Sequence, residues 1–178
     1  MKFSKIYTGG GDDGTTALWR GGRVSKGSDQ VRTVAKFDKL NASLGYIKHQ
    51  AVGRKVIQSA LMNIMTKIMS KGDTDSKSFE ECREKSRHNK IYIQEAIRIL
   101  GETLDTEHPE GQKDWVYPGD NQDSLSYHVL GTLVREAEVE LNALYKIEDS
   151  WIDENDLAFM NALSKTFYLW ARKIELGE

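Results

Sequence analysis

Apolar residues recur along most of the chain at intervals of three and four, the spacing that stacks side chains on one face of a helix. From about residue 28, Val31, Val34, Leu40, Leu44 and Ile47 form a first stripe behind Ser28-Asp29, a pair suited to cap a helix N-terminus. Val56, Ile57, Ala60, Leu61, Ile64 and Ile68 form a second, and Ile93, Ala96, Ile97, Leu100 and Leu104 a third. After the turn-rich stretch TEHPEGQKDWVYPGDN, a fourth runs through Leu125, Val129, Leu133, Ala137, Leu141 and Leu144, and a fifth through Leu157, Met160, Leu163, Phe167, Trp170 and Ile174. Strand-like alternation is scarce, and proline occurs only at Pro109 and Pro118, so most of the length is free to be helical. Five amphipathic helices predict an all-α fold, a five-helix up-and-down bundle. Residues 70 to 90, SKGDTDSKSFEECREKSRHNK, carry many charges and few apolar side chains, and are expected to begin as a solvated loop between helices 2 and 3.

At 178 residues the chain is expected to be one domain, 1–178, with an arm over 1–27 and the bundle over 28–178. Its 25 basic and 27 acidic side chains are spread along the sequence and leave a formal charge of −2, which argues against a nucleic-acid partner. Cys82 stands alone, so an internal disulfide and a thiolate metal cluster are excluded, as expected in a reducing compartment. The start, MKFSKIYT, lacks the apolar stretch of a signal peptide, and no later run is apolar enough to span a bilayer. A cytoplasmic protein without a membrane partner is the expectation.

The N-terminal arm is the unusual segment. YTGGGDDGTTALWRGGRVSK, residues 7 to 26, is rich in glycine, with paired aspartates, paired threonines and basic residues toward its end. No βαβ unit surrounds it and no Lys-Ser/Thr pair closes it, so neither dinucleotide-binding nor P-loop context applies. Two readings stay open on composition: a mobile glycine-rich tail, or a phosphate cradle of backbone N–H groups completed by Thr15, Thr16, Ser25 and Lys26.

Specific motifs add to this. Ile6-Tyr7-Thr8, then Gly11-Asp12-Asp13-Gly14-Thr15-Thr16, then Gly22-Arg23-Val24-Ser25-Lys26 resemble the ATP-binding arm of the trimeric ATP:cob(I)alamin adenosyltransferases of the PduO type. Phe37-Asp38-Lys39-Leu40-Asn41-Ala42-Ser43-Leu44-Gly45 is similar to that family's D-E-L-N-x-x-L-G, and Trp115-Val116-Tyr117-Pro118-Gly119 to its F-I-L-P-G-G. Thr132-Leu133-Val134-Arg135-Glu136-Ala137-Glu138 is similar to its R-T-V-C-R-R-A-E-R helix, and Asn161-Ala162-Leu163-Ser164, with Ala171-Arg172 after it, to its closing L-N-R-L-S-D helix. The resemblance implies a bundle of the cobalamin adenosyltransferase type and a homotrimer that binds ATP, magnesium and cobalamin between subunits. The corrinoid's Co(I) would attack the ribose 5′ carbon of ATP and triphosphate would leave, with the protein supplying orientation and charge. It further implies that Thr8, Gly11, Asp12, Gly14, Thr15, Thr16 and Lys26 belong to the nucleotide arm and that Arg135 meets the triphosphate. Glu138 would hold magnesium or order the helix, and Asn161 would contact the nucleotide. Trp115 takes the place of the phenylalanine crowding the lower corrin face, and Asp38 that of a carboxylate in an intersubunit ion pair.

Several positions depart from the family pattern. Gly9 replaces a cation after Thr8, Gly131 replaces the arginine that pairs with the helix 1 aspartate, Glu136 reverses a phosphate-binding charge, and Val139 neutralises another. Lys39 replaces the glutamate beside Asp38, and Asp120 the second glycine of F-I-L-P-G-G. Two functions are therefore expected in competition. One is a divergent adenosyltransferase in which Arg20, Arg23 or Lys26 supplies the missing cations; the other is a non-catalytic relative that holds a nucleotide or nucleotide-derived signal in the same pockets, with Gly131 opening space for it. No pairing of His49, His88, His108 or His128 with one another or with a suitable carboxylate predicts a metal site, and His128 is expected to be a structural hydrogen-bonder.

Overall fold

The computed structural model describes residues 9–19, 22–47, 53–70, 72, 74–119, 121–147 and 150–177. Its helices start where the sequence supplies oxygen for unpaired backbone N–H groups. Ser28 caps α1 (Asp29–Ser43) by accepting from the Val31 N–H, and Ser76 caps α3 (Lys77–Glu107) by accepting from the Phe79 N–H at 3.2 Å. Asn121 opens α4 (Gln122–Tyr145), accepting from the N–H groups of Asp123 and Ser124. Asp153 and Asp156 form a reciprocal capping box at the start of α5 (Glu154–Glu175). The exception is α2 (Arg54–Ile68), capped by Gly53 at φ +50, in the left-handed region. A Cβ there would stand 2.6 Å from the Tyr92 hydroxyl, so both the backbone and the neighbour select glycine.

The five helices pack in the cyclic order α1, α4, α5, α3, α2, each touching its two neighbours in that ring. Phe37, Leu40, Leu61, Ile93, Val134, Leu141, Leu163 and Phe167 fill its interior. Among the described residues no helix is long and apolar enough to cross a membrane.

Three features go beyond or against these expectations. From Lys77 the charged segment is already α3, well ahead of the third stripe's first member, Ile93. Small residues, Cys82 and Ser86, carry its inward face, so an apolar stripe was invisible. Its outward face is laced with pairs such as Arg87–Glu84 at 2.6 Å. On α4 the buried line is Tyr127, Leu130, Val134, Ala137, Leu141 and Leu144, whereas Val129 is 48% exposed. The expected stripe advanced in four-residue steps from Leu125 to Leu141, and each such step drifts about 40° around a helix of 3.6 residues per turn. Finally, the arm contains strands: β1 (Thr15–Ala17) and β2 (Arg23–Ser25) pair antiparallel, Thr16 opposite Val24.

Candidate functional site

The arm is organised by its own polar side chains. Thr15 donates to Asp13 Oδ1 through its N–H at 2.9 Å and its hydroxyl at 2.7 Å, an Asx turn that folds the glycine loop back on β1. These two donors hold the Asp13 carboxyl below its usual range, with Arg23 adding to the effect. Arg23 reaches across the hairpin, Nε donating to Thr15 Oγ1 at 2.8 Å and Nη2 to the Gly10 carbonyl. Lys26 places its ammonium at the loop mouth, 2.8 Å from the Gly11 carbonyl, while its N–H donates to the Gly14 carbonyl at 2.9 Å. Gly11, Asp12, Gly14, Thr15, Thr16 and Lys26 are therefore one local group. Asp13 and Arg23 are its organisers; the Asp-x-Thr spacing was the signal for the first, and only the hairpin register brings the second to Thr15. Thr8 lies outside the described residues, as do Arg20 and Asp120.

A second group forms on α4 and α5. Glu138 is partly buried, and that burial raises its carboxyl above the ordinary glutamate value against the opposing pull of Lys165 and Arg135. Lys165 also donates to Asn161 Oδ1 at 2.7 Å, so a lysine the motifs did not single out stands between Asn161 and Glu138, with Arg135 acting on Glu138 as well. Lys165 occupies the aspartate position of L-N-R-L-S-D, which was the available signal. Among the described residues no group of three histidine, cysteine, aspartate or glutamate side chains is arranged to hold a metal ion.

The departures on α4 acquire partners. Glu136 pairs with Lys36 of α1 and lies 3.8 Å from Lys39 Nζ, so the reversed charge on α4 and the reversed charge on α1 answer one another. Lys36 foremost, then Lys39, holds the Glu136 carboxyl below its usual range. Gly131 is buried against α5: a Cβ would stand 3.5 Å from the Ser164 carbonyl and 3.8 Å from the Arg135 guanidinium. The room at this glycine is taken by helix packing, not by an open ligand space. Asp38 is exposed on α1.

Trp115 stands 87% exposed in the loop between α3 and α4. It borders a cavity of about 510 Å³ whose far wall includes Arg172 and Glu175. Glu175 Oε1 lies 2.7 Å from His128 Nε2 and Oε2 accepts from Arg172 at 2.6 Å, so His128 has the structural role expected of it. His88 does have a carboxylate one turn away, Glu84 at 3.5 Å, though on an exposed face.

Comparison with known proteins follows the same outline. The cobalamin adenosyltransferase family model matches residues 6–174. A corrinoid adenosyltransferase of Bacillus subtilis (strain 168) is 28% identical over 181 residues, covering 96% of this chain and 86% of that protein. A corrinoid adenosyltransferase of Citrobacter freundii is 28% identical over 170 residues, covering 94% and 93%. Among solved structures, a variant PduO-type ATP:corrinoid adenosyltransferase from Lactobacillus reuteri complexed with ATP superposes with a TM-score of 0.78 at 24% identity, covering 96% of this chain and 94% of that one. Another variant from Lactobacillus reuteri, complexed with cobalamin and ATP, gives 0.77 at 23% identity, covering 97% and 94%. With a family match running from the arm to the end of α5 and the same helical fold as those structures, the chain belongs to the cobalamin adenosyltransferase family.

Proposed function

We propose that this chain transfers the 5′-deoxyadenosyl group of ATP to the Co(I) of a reduced corrinoid, at sites shared between neighbouring subunits of a homotrimer. The observation that carries the reading is the arm: a glycine loop already folded by Asp13 and Arg23, with the Lys26 ammonium at its mouth. Glycine N–H groups, Thr15, Thr16 and Lys26 cradle the triphosphate, and Arg135 meets its charge from α4. Asn161 contacts the nucleotide, Trp115 crowds the lower corrin face, and Asp38 faces the neighbouring subunit. The Co–C5′ bond forms as the C5′–O bond breaks, and triphosphate leaves with the bonding pair. Magnesium fits as the counter-ion of the nucleotide, because Glu138 has Arg135 and Lys165 as charged neighbours and no three-ligand cluster stands beside it among the described residues. A shared site is supported by the anchorage of the two groups: the arm is held at the C-terminal end of α2, whereas Arg135 and Asn161 stand on α4 and α5, and a neighbouring subunit would bring one group to the other.

A second reading, a relative that holds a nucleotide without turnover, is favoured by one feature: the α4 arginine positions now carry a packing glycine, a glutamate committed to α1 lysines, and an exposed valine. Spectrophotometry of Co(I) corrinoid with ATP and magnesium separates the two. Adenosylcobalamin is expected to form; calorimetric ATP binding without any adenosylated product would establish the second reading. Light scattering is expected to show a trimer, and a stable monomer at micromolar concentration would remove the shared site. Under either reading Arg135→Ala weakens ATP binding by about 1.5–3 kcal/mol, the loss of one charge-assisted contact.

A further inference from the structure

We infer that the buried cluster of Lys67, Asp153 and Asp156 is a positioning device for the nucleotide arm, fixing the end of α2 on which the arm is pinned. Lys67 is wholly buried in the last turn of α2. Its ammonium donates to Asp153 Oδ2 at 2.8 Å, to Ser86 Oγ at 3.2 Å and to Asp156 Oδ2, so all three of its protons have acceptors. Ser86 in turn donates to Asp156 Oδ1 at 2.6 Å, and Asn63 Nδ2 donates to Ser86 Oγ at 3.0 Å and to the Cys82 carbonyl at 3.1 Å. One cluster thus ties the C-terminal end of α2 to the middle of α3's first half and to the N-terminal cap of α5. The cation sits at a helix C-terminus and the carboxylates at a helix N-terminus, the arrangement both helix dipoles favour.

Directly beyond Lys67 are the carbonyls that α2 leaves without intrahelical partners, and other elements use them. The Ile68 carbonyl accepts from Gln30 Nε2 of α1 at 3.4 Å, and the Met69 carbonyl from the Trp19 N–H of the arm at 2.9 Å. Trp19 lies between β1 and β2, so the connecting end of the hairpin is seated on this end of α2. Three charged side chains inside a bundle are a poor way to gain stability, since an apolar set of similar volume usually serves as well. Such a cluster does fix one rotation and one height of α2 against α3 and α5, and the arm inherits that height through Trp19.

The inference rests on the arm being the nucleotide-binding element, and its test separates the two. Lys67→Met is expected to weaken ATP binding on the order of tenfold, to leave the KM for corrinoid and kcat near wild type, and to speed hydrogen exchange at Ala17 to Trp19. Trp19→Pro, which deletes the pinning N–H from the arm side, is expected to give the same ATP defect with the bundle's stability intact, and the double variant no more than either single one. Should Lys67→Met not fold, Asp153→Asn takes its place: asparagine still caps α5, one carboxylate is lost to the lysine, and the expected direction is the same. A folded cluster variant with wild-type arm exchange and ATP affinity would overturn the inference, as would equal losses toward ATP and corrinoid. If the wild type binds no ATP, the proposed function fails, while arm exchange in the cluster variants still reads whether the cluster holds the arm.

Discussion

Among the charges that join helices of this protein, two sets are not equivalent. Lys67, Asp153 and Asp156 lie inside the bundle between α2, α3 and α5, with the lysine wholly buried. Lys36, Lys39 and Glu136 lie at the surface between α1 and α4, all partly exposed. In the interior Lys67 and Asp156 have lost their water and Asp153 most of it, so removing one partner strands the others; at the surface water replaces any partner that is removed. Acid acts on the two in opposite senses. Burial raises the Asp156 carboxyl against the pull of Lys67, so its contribution to stability is full below the unfolded value of 3.8 and is lost as pH rises through the raised folded value. Lys36 lowers that of Glu136, whose contribution is present above the unfolded value of 4.5 and is lost as pH falls through the folded value. What a charge contributes is set less by its partner than by how much solvent the pair has given up.

The largest break in this contrast comes from Lys67→Met. Stranding two carboxylates in the interior should lower stability by about 3–5 kcal/mol at neutral pH in urea denaturation. The deficit should narrow as pH falls, because the stranded carboxyls then take up protons, and a deficit independent of pH would show that they are not stranded. Ser86→Ala comes next: it removes a neutral group that both donates to Asp156 and accepts from Asn63, and should lower stability by about 1–3 kcal/mol. Gly131→Ala sharpens the contrast from the uncharged side of α4. Its Cβ meets the Ser164 carbonyl at an ordinary 3.5 Å. Thermal unfolding should therefore show a gain of up to about 1 kcal/mol from helix propensity, and a loss would mean that α4 and α5 pack closer than they stand. Glu136→Lys should have the smallest effect, a slight fall in Tm that disappears in high salt and is recovered by adding Lys36→Glu. A salt-independent loss as large as that of Lys67→Met would erase the distinction.

How much of this was legible beforehand varied by element, for physical reasons. The stripe of α5 read correctly, and that of α2 did so from Ile57 to Ile68, though its first member, Val56, is exposed. On α4 the pattern misled because a stripe advancing only in four-residue steps drifts around the helix and leaves the buried line, so that Val129 stands exposed. The first half of α3 was missed because Cys82 and Ser86 mark its inward face by size, not by hydrophobicity. In the arm, three-residue strands are too short for alternation to register, yet the glycine, threonine and lysine positions were readable as motifs. Lys39 and Glu136 were noted as two separate departures, and nothing local could show that they face one another.

By itself the sequence determined what depends on near neighbours along the chain: five helices, the Ser28 cap, the glycine arm and the order of motifs that marks the family. Helical periodicity and capping act over a few residues, so they are written where they occur. Only the tertiary structure decided which charges are partners, bringing Lys67 to Asp156 across 89 positions and Lys36 to Glu136 across 100. Those meetings depend on the rotation and height at which packed helices settle, which the whole core sets together, and burial then fixes the worth of each charge.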